Sequence, residues 1–228
     1  MCGRFTINYT YEQMLEYLKD EYSVFDFDFD LPRYNVSPGQ QVLSIIYDGD
    51  KFRVGSFKWG FIPAFSKDEK SGYKMINARS EGIEEKVSFK DSFFNKRCLI
   101  LSDGFYEWDK VSGSNRPYYI TFKDKKLMAY AGIWSHNIKD GKSLYTCSII
   151  TTKANLIIGK IHERMPIVLD SINAKKWIST NCDPDYLKSL LNQYPEDYTD
   201  MIEVSTKVNK VAFDDPSLIE EHQEYTLF

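Results

Sequence analysis

The spacing of apolar and polar positions changes period several times along the chain. Met14, Leu15, Leu18 and Tyr22 recur at helical intervals behind Thr10 and Gln13, which have capping-box spacing, so a helix is expected near 11–22. An acidic, aromatic run from Val24 to Leu31 leads into RYNVSPG at 33–39, where Pro38-Gly39 punctuates the chain. QQVLSIIY then reads as a strand that turns at Asp48-Gly49-Asp50 and returns over Lys51 to Phe61. An Asp-Gly pair between β-branched and aromatic runs favours that hairpin. The charged stretch 66–72 reads as a surface loop.

Four more segments have strand character: CLILSDGFYEW (98–108), PYYITFKD (117–124), LMAYAGIW (127–134) and LYTCSIITT (144–152), separated by Gly, Ser, Asn and Asp turns. Helices are expected over 154–160, 173–178 and 184–194. In the last, Asp183 caps, Pro184 takes the first turn, and Leu187, Leu190, Leu191 and Tyr194 follow at helical spacing. No repeat or linker divides the chain, and 228 residues suit one domain over 1–228, with a peripheral tail from about 214. The fold class expected is α+β, with a curved, mostly antiparallel, barrel-like β core and peripheral helices.

Composition narrows the function. With 43% hydrophobic and 15% aromatic residues the chain can bury a core, which excludes a disordered or low-complexity protein. Its 29 basic and 33 acidic residues give a net charge of −4, so any contact with nucleic acid needs a local basic patch. There is no membrane-length apolar run and no signal-peptide core at MCGRFTINYT, so a cytoplasmic location without a membrane partner is expected. Cys2, Cys98, Cys147 and Cys182 form no CxxC pair, and His136, His162 and His222 have no metal-ligand spacing. Reduced thiols, no metal and no cofactor follow.

The most informative residue is Cys2. Removal of Met1, usual before a small residue, would leave an α-amine and a thiol on adjacent carbons. An α-amine titrates at about 7.7–8.0 against about 10.4 for lysine, so a substantial minority is free base at neutral pH. Such an amine attacks an aldehyde to give a Schiff base, and the neighbouring thiol can close a thiazolidine on the same carbon. The bland reading is a small buried hydrophobe.

Other candidates lie among apolar or aromatic neighbours. Glu107 in DGFYEW would be tuned toward proton transfer if buried, although strand alternation also suits an outward carboxylate. His162 in IHERMPIVL sits where a loop could present it to a cleft or where a structural histidine could rest. Asn77 in MINAR could hold a carbonyl or sugar oxygen, or could cap a turn. Arg4, Arg79 and Arg164 suit charge-assisted binding of phosphates, with surface salt bridges as the plainer use. Trp59, Phe61 and Phe65 around WGFIPAF could stack bases or belong to the core.

Taken in order, MCGRF (1–5), RYNVSPG (33–39), WGFIP (59–63), MINARSE (75–81), SDGFYEW (102–108), ITT (150–152), IHERMPIVL (161–169) and VSTKVN (204–209) resemble the SRAP family (SOS-response-associated peptidase), the abasic-site processing proteins. The resemblance covers nearly the whole chain. It implies that Cys2 forms a covalent thiazolidine with the ring-opened aldehyde of an abasic site in single-stranded DNA. Asn77 would position the reacting sugar and amine, Glu107 would move protons, and His162 would assist ring opening. Arg4, Arg79 and Arg164 would bind flanking phosphates, with Trp59 and Phe65 near the bases. The resemblance also implies a DNA-repair role at stalled replication, an AP lyase side reaction and self-release of Met1 by a peptidase-type step. A monomer, nucleoid-associated when bound, is expected.

Two departures stand out. Relatives commonly carry Trp where this chain has Phe65, and the histidine some relatives place before the Val-Ser pair is absent at Glu203. Two other classes share part of the pattern. Class II glutamine amidotransferases also begin MCG and use Cys2 as an acyl nucleophile, but their Arg-Gly-Pro-Asp-type motif is missing here. A single-strand DNA binding module with an incidental cysteine would bind identically without Cys2.

Overall fold

A computed structural model describes residues 2–66, 72, 74–124, 126–180 and 182–222. Met1, most of the expected loop at 66–72 and the last six residues of the tail lie outside the described residues.

The first helix forms where expected. Helix α1 spans Tyr11–Tyr22, with the Thr10 hydroxyl accepting from Gln13 N and the Gln13 side chain accepting from Thr10 N. Met14, Leu18 and Tyr22 form its buried face. Strand β1 (Phe5–Ile7) precedes it, and β2 (Arg33–Val36), β3 (Gln41–Tyr47) and β4 (Phe52–Trp59) follow. β3 and β4 make the hairpin anticipated across Asp48-Gly49.

The segment 98–108 corrects the sequence reading. It is two strands, β6 (Arg97–Ser102) and β7 (Gly104–Trp108), which part at Asp103 and enter different sheets. A long hairpin then combines β9 (Met128–Lys139) and β10 (Lys142–Lys153), each longer than anticipated. With β5 (Asn77–Arg79) and β8 (Pro117–Phe122) in place, the later strands are β11 (Arg164–Pro166), β12 (Val168–Leu169) and β13 (Thr199–Glu203).

Strands β10, β4, β3, β6 and β9 are joined in that order, and the β9–β10 pairing closes them into a five-stranded barrel. A second sheet, ordered β13-β8-β7-β1-β2, packs beside it. Pairing is antiparallel except for β4 and β5, which both run parallel to β10. The architecture is therefore the expected α+β fold with a barrel-like β core.

The peripheral helices are shorter than the apolar periodicity suggests. Residues 154–160 yield only a 3₁₀ turn at Ile158–Lys160, and the helix expected over 184–194 ends at Ser189 as α4 (Pro184–Ser189). Tyr194 instead packs on Phe122, with ring centroids 4.3 Å apart, outside any helix. Helix α3 (Ser171–Ile178), capped by Asp170, agrees with expectation, whereas α2 (Lys90–Asn95) had no sequence signal.

Residues 204–222 fold back as a strap over β2 and β7. Val204, Val208 and Leu218 pack on Tyr34, Tyr106 and Tyr119, giving the second sheet an apolar cover on its outer side. Asn35 fastens the strap. Fully buried, it accepts from Arg4 Nη1 at 2.6 Å, and its Nδ2 reaches the carbonyl oxygens of Phe213 (2.6 Å), Lys210 (3.2 Å) and Val208 (3.3 Å). Removing a buried amide that serves several partners strands each of them. Asn35→Ala is therefore expected to destabilise the fold by about 1–3 kcal/mol, read as a fall in the urea midpoint. An unchanged midpoint would mean that the strap is held by its apolar contacts alone.

Candidate active site

The site lies where β10 ends. Thr151 pairs with Arg79 of β5 on one edge and with Pro166 of β11 on the other, so a single strand carries both MINAR and HERMP. Ala78 turns into the core, which directs Asn77 and Arg79 to the opposite face by strand alternation.

The N-terminus reaches this region through β1. Phe5 pairs with Phe105, and Tyr106 N–H donates to Arg4 O at 2.9 Å, extending the β1–β7 pairing toward Cys2. Cys2 is fully buried, and its carbonyl oxygen accepts from Asn77 Nδ2 at 2.8 Å. The Oδ1 of Asn77 is also buried and has no hydrogen-bond partner among the described residues.

Glu107 is only 2% exposed, and the strap explains why. In β7, Tyr106 lies in the cluster under the strap with Trp108 packed against it, whereas Phe105 belongs to the main core. Alternation then sends Glu107 inward with Phe105, the outcome that the amphipathic pattern alone did not favour. Burial pushes its carboxyl pKa up. Burial likewise holds the Cys2 thiol protonated, and the charge of Glu107 adds to that effect.

His162 follows the 3₁₀ turn and is 7% exposed. Burial lowers its pKa to about 4, so it is neutral near pH 7. Its Nδ1 approaches Glu107 Oε1 at 3.9 Å, which for a neutral ring is a close approach rather than an ion pair. The shorter contact is from Arg164 N–H to Nδ1 at 3.0 Å, which assigns the proton to Nε2. The Arg164 carbonyl at 3.3 Å would receive an Nδ1 proton if the ring were charged.

A cavity of about 550 Å³ opens beside these groups, lined by Ile76, Arg79, Lys110, Val111, Ile161, His162 and Glu163. That size suits a small polar ligand such as a sugar. Lys110 went unremarked in the sequence. Its position three residues after Glu107 was the available signal, and its backbone N–H to Ile161 O ties it to another lining residue of the cavity.

The residues expected to hold DNA separate into distinct settings. Arg79 is 57% exposed, with Glu163 at 3.9 Å, and is available to a ligand. Arg4 is partly buried: its Nη1 serves Asn35 and Val208 O, and its guanidinium lies 5.9 Å from the Trp108 ring centroid. Arg164 is 5% exposed, with both Nη groups on the Glu81 carboxylate at 2.7 and 2.8 Å and Nη2 also on Thr151 O at 2.6 Å. This bidentate pair holds Glu81 down to about pKa 2. Trp59 needs correction as a base-stacking candidate. It is fully buried, with its indole N–H on Ile76 O and Phe5 5.1 Å away, and offers no face to a base. Phe61 is core as well, whereas Phe65 is 67% exposed. Among the described residues no group of His, Cys, Asp and Glu is arranged to hold a metal.

A closed barrel with Cys2 hydrogen-bonded to Asn77 and with Glu107 and His162 buried against each other narrows the class, and comparison with known proteins identifies it. The chain belongs to the SRAP family (SOS response associated peptidase), whose model matches residues 1–211. It is 44% identical over 225 residues to the abasic site processing protein YoqW of Bacillus subtilis, covering 97% of this chain and all of that protein. A second Bacillus subtilis relative, the abasic site processing protein YobE, is 42% identical over 225 residues with the same coverage. The crystal structure of a Bacteroides thetaiotaomicron protein superposes with a TM-score of 0.84 at 26% identity, over 97% of this chain and all of that one.

The protonation states carry a stability signature. Folded His162 binds a proton less readily than unfolded His, so the unfolded chain holds more proton between about pH 6.5 and about pH 4, and stability falls as pH drops through that window. Glu107 works oppositely, because its raised pKa lets the folded state take up a proton first. His162→Gln is therefore expected to lose less urea resistance between pH 7 and pH 5 than the parent protein. Equal losses would assign the pH dependence to other groups.

Proposed function

We infer that this protein processes abasic sites in single-stranded DNA by forming a covalent thiazolidine between Cys2 and the sugar aldehyde. The observation that carries the reading is the convergence of Cys2, Asn77, Glu107 and His162. Asn77 bonds the Cys2 backbone, Glu107 acts electrostatically on the Cys2 thiol, and His162 lies 3.9 Å from Glu107. Support also comes from relatives named as abasic site processing proteins.

Chemistry begins with release of Met1, in the manner of a self-cleaving peptidase, which frees the α-amine of Cys2. The abasic sugar then opens to its aldehyde, a net transfer of the C1′ hydroxyl proton to the ring oxygen as the bond between C1′ and that oxygen breaks. His162, neutral with its proton on Nε2, hydrogen-bonds the ring oxygen while that proton moves. The amine adds to C1′ and water leaves, giving an imine. The thiol adds across the C=N bond: sulfur bonds to C1′ and a proton returns to nitrogen, so the steps from aldehyde to thiazolidine expel one water.

Burial keeps the thiol protonated, so no thiolate waits for the imine. The S–H proton must pass to a base as the S–C bond forms, and Glu107, whose own pKa burial raises, is matched to that transfer. Asn77 fixes the Cys2 carbonyl with Nδ2 and presents its otherwise unpartnered Oδ1 as an acceptor for the amine or a sugar hydroxyl. An imine at C1′ also acidifies C2′ and invites β-elimination of the strand, the lyase side reaction. Ring closure removes the imine and shields the site.

Mixing the Met1-processed protein with an oligonucleotide carrying one abasic site is expected to give a species that survives a denaturing gel without added reductant, with the mass of protein plus DNA less one water. Cys2→Ala should give none. If intact mass establishes a free Cys2 terminus and no adduct forms, the reading fails. Glu107→Gln should slow adduct formation by roughly 10²–10⁴-fold, the usual range for loss of a proton-transfer group, and flatten its pH profile. A parental rate in that variant would remove Glu107 from the chemistry.

A further inference from the structure

Glu81 closes the MINARSE segment, two residues past β5, and no step of the proposed chemistry uses it. Its side chain is half exposed, yet both of its oxygens are spent on Arg164, a residue only 5% exposed. A surface carboxylate thus neutralises a buried guanidinium. The Arg164 Nε is buried with no hydrogen-bond partner among the described residues, so the two Nη groups carry the attachment, to Glu81 and to Thr151. The Thr151 carbonyl oxygen that accepts from Nη2 also accepts from Ser80 N–H at 2.8 Å. Arg164 and the residue before Glu81 therefore converge on one atom of β10. The pair stays ionised throughout the neutral range, because it holds Glu81 down to about pKa 2.

The backbone of Arg164 connects this pair to the site. His162 Nδ1 lies near one donor, Arg164 N–H at 3.0 Å, and near two acceptors, Arg164 O at 3.3 Å and Glu107 Oε1 at 3.9 Å. Both acceptors favour a proton on Nδ1, whereas the N–H favours it on Nε2. A ring nitrogen that carries a proton cannot also accept one, so the place of that backbone amide decides between the tautomers. Arg164 is the first residue of β11, at the end of the ladder with β10, and its side-chain attachment supplements the pairing there.

We propose that Glu81 is a positioning residue for sugar ring opening: by clamping Arg164 against β10 it keeps the Arg164 N–H on His162 Nδ1 and so keeps the His162 proton on Nε2. The inference rests on the proposed function for the step that it serves, not for the tautomer itself. Without the carboxylate the guanidinium leaves its buried position for water, since an unpaired buried charge is far costlier than a solvated one, and the start of β11 turns with it. Nδ1 then loses its donor, takes the proton and directs it toward Glu107 or the Arg164 carbonyl. In that tautomer Nε2 is an acceptor and has no proton with which to hydrogen-bond the sugar ring oxygen.

The test uses Glu81→Gln, which keeps the size of the side chain and removes its charge. In ¹⁵N-labelled protein at pH 7, with His162→Gln assigning the signal among three histidines, the unprotonated ring nitrogen of His162 should be Nδ1 in the parent and should shift toward Nε2 in the variant. Adduct formation at saturating abasic oligonucleotide, with Met1-processed protein, should slow by roughly 10-fold, below the range for outright loss of a proton-transfer group. Placed in His162→Gln, the same substitution should cost less than about twofold more, because the residue through which it acts is gone. A tautomer that does not move, or a rate loss as large in the His162→Gln background as in the parent, overturns the proposal. Should Glu81→Gln fail to fold, Glu81→Asp retains the charge on a shorter arm; a partial shift of tautomer is then expected, and the same two results overturn the proposal. The tautomer is read without DNA. A shift in Glu81→Gln alongside a parent that forms no adduct supports the clamp and refutes the crosslinking reading, and adduct formation at the parental rate in Glu81→Gln does the reverse.

Discussion

The placement of Asn77, Arg79, Arg164 and His162 depends on how the two edges of β10 are shared. Along one edge β4 pairs through Thr146 and Cys147 and then gives way to β5 at Ile149–Thr151. Along the other, β9 pairs from Lys142 to Ile149 and β11 takes over at Thr151. The first half of the strand closes the barrel and the second half leaves it, carrying a short strand on each side. Backbone hydrogen bonding thus fixes Asn77 and Arg79 relative to Arg164, and through Arg164 N–H it fixes His162. A loop-borne site would need each of these residues ordered separately; here one ladder orders them together.

Burial then sets the chemistry of the side chains so placed. Desolvation disfavours charge on every group, which keeps the Cys2 thiol protonated, raises Glu107 and lowers His162. The effect is a site in which the thiol and the imidazole are both uncharged near pH 7 and the carboxyl ionises less readily than an exposed one. That condition is compatible with the proposed imine and thiazolidine chemistry, in which neutral groups pass protons between them at each step. The strap over β7 is part of this device. By covering Tyr106 it makes the outer face apolar and leaves Glu107 only the inner side.

The sequence made the elements with strong local signals legible and concealed those decided by tertiary contact. The capping box at Thr10 and the Asp-Gly hairpin are written in a few adjacent residues, and both form where expected. The break at Asp103 is not. SDGFYEW continues the β pattern of CLIL, and only the assignment of β6 and β7 to different sheets separates them. Leu190, Leu191 and Tyr194 have helical spacing, yet Tyr194 packs on Phe122 beyond the helix end. At the site, residue identities were legible from motifs, but environments were not: the alternation argument leaned toward an exposed Glu107 until β7 acquired a cover on both faces. Trp59 shows the converse, an aromatic that composition offered to DNA and the core retained.

The arginines carry the same distinction further. Arg4, Arg79 and Arg164 are alike in sequence as cations within the MCGRF, MINARSE and IHERMPIVL segments, but the fold gives each a different degree of freedom. Arg164 is committed to a carboxylate on one side and a carbonyl on the other, Arg4 to Asn35 and the strap, and Arg79 only to a distant, exposed Glu163. A guanidinium already held in bidentate geometry gains little from a phosphate, because it must first give up hydrogen bonds of equal quality. The buried arginines therefore act through their field and through what they hold in place: Arg164 aligns the segment that presents its N–H to His162, and Arg4 ties the strand beginning at Phe5 to Asn35. The exposed cations that line a cavity with Arg164, namely Arg79, Lys86 and Lys153, carry no such bidentate commitment. Positive charge fixed in the walls together with exposed cations beside it gives a net acidic protein a locally positive cleft, the arrangement that attracts an anion despite the overall charge.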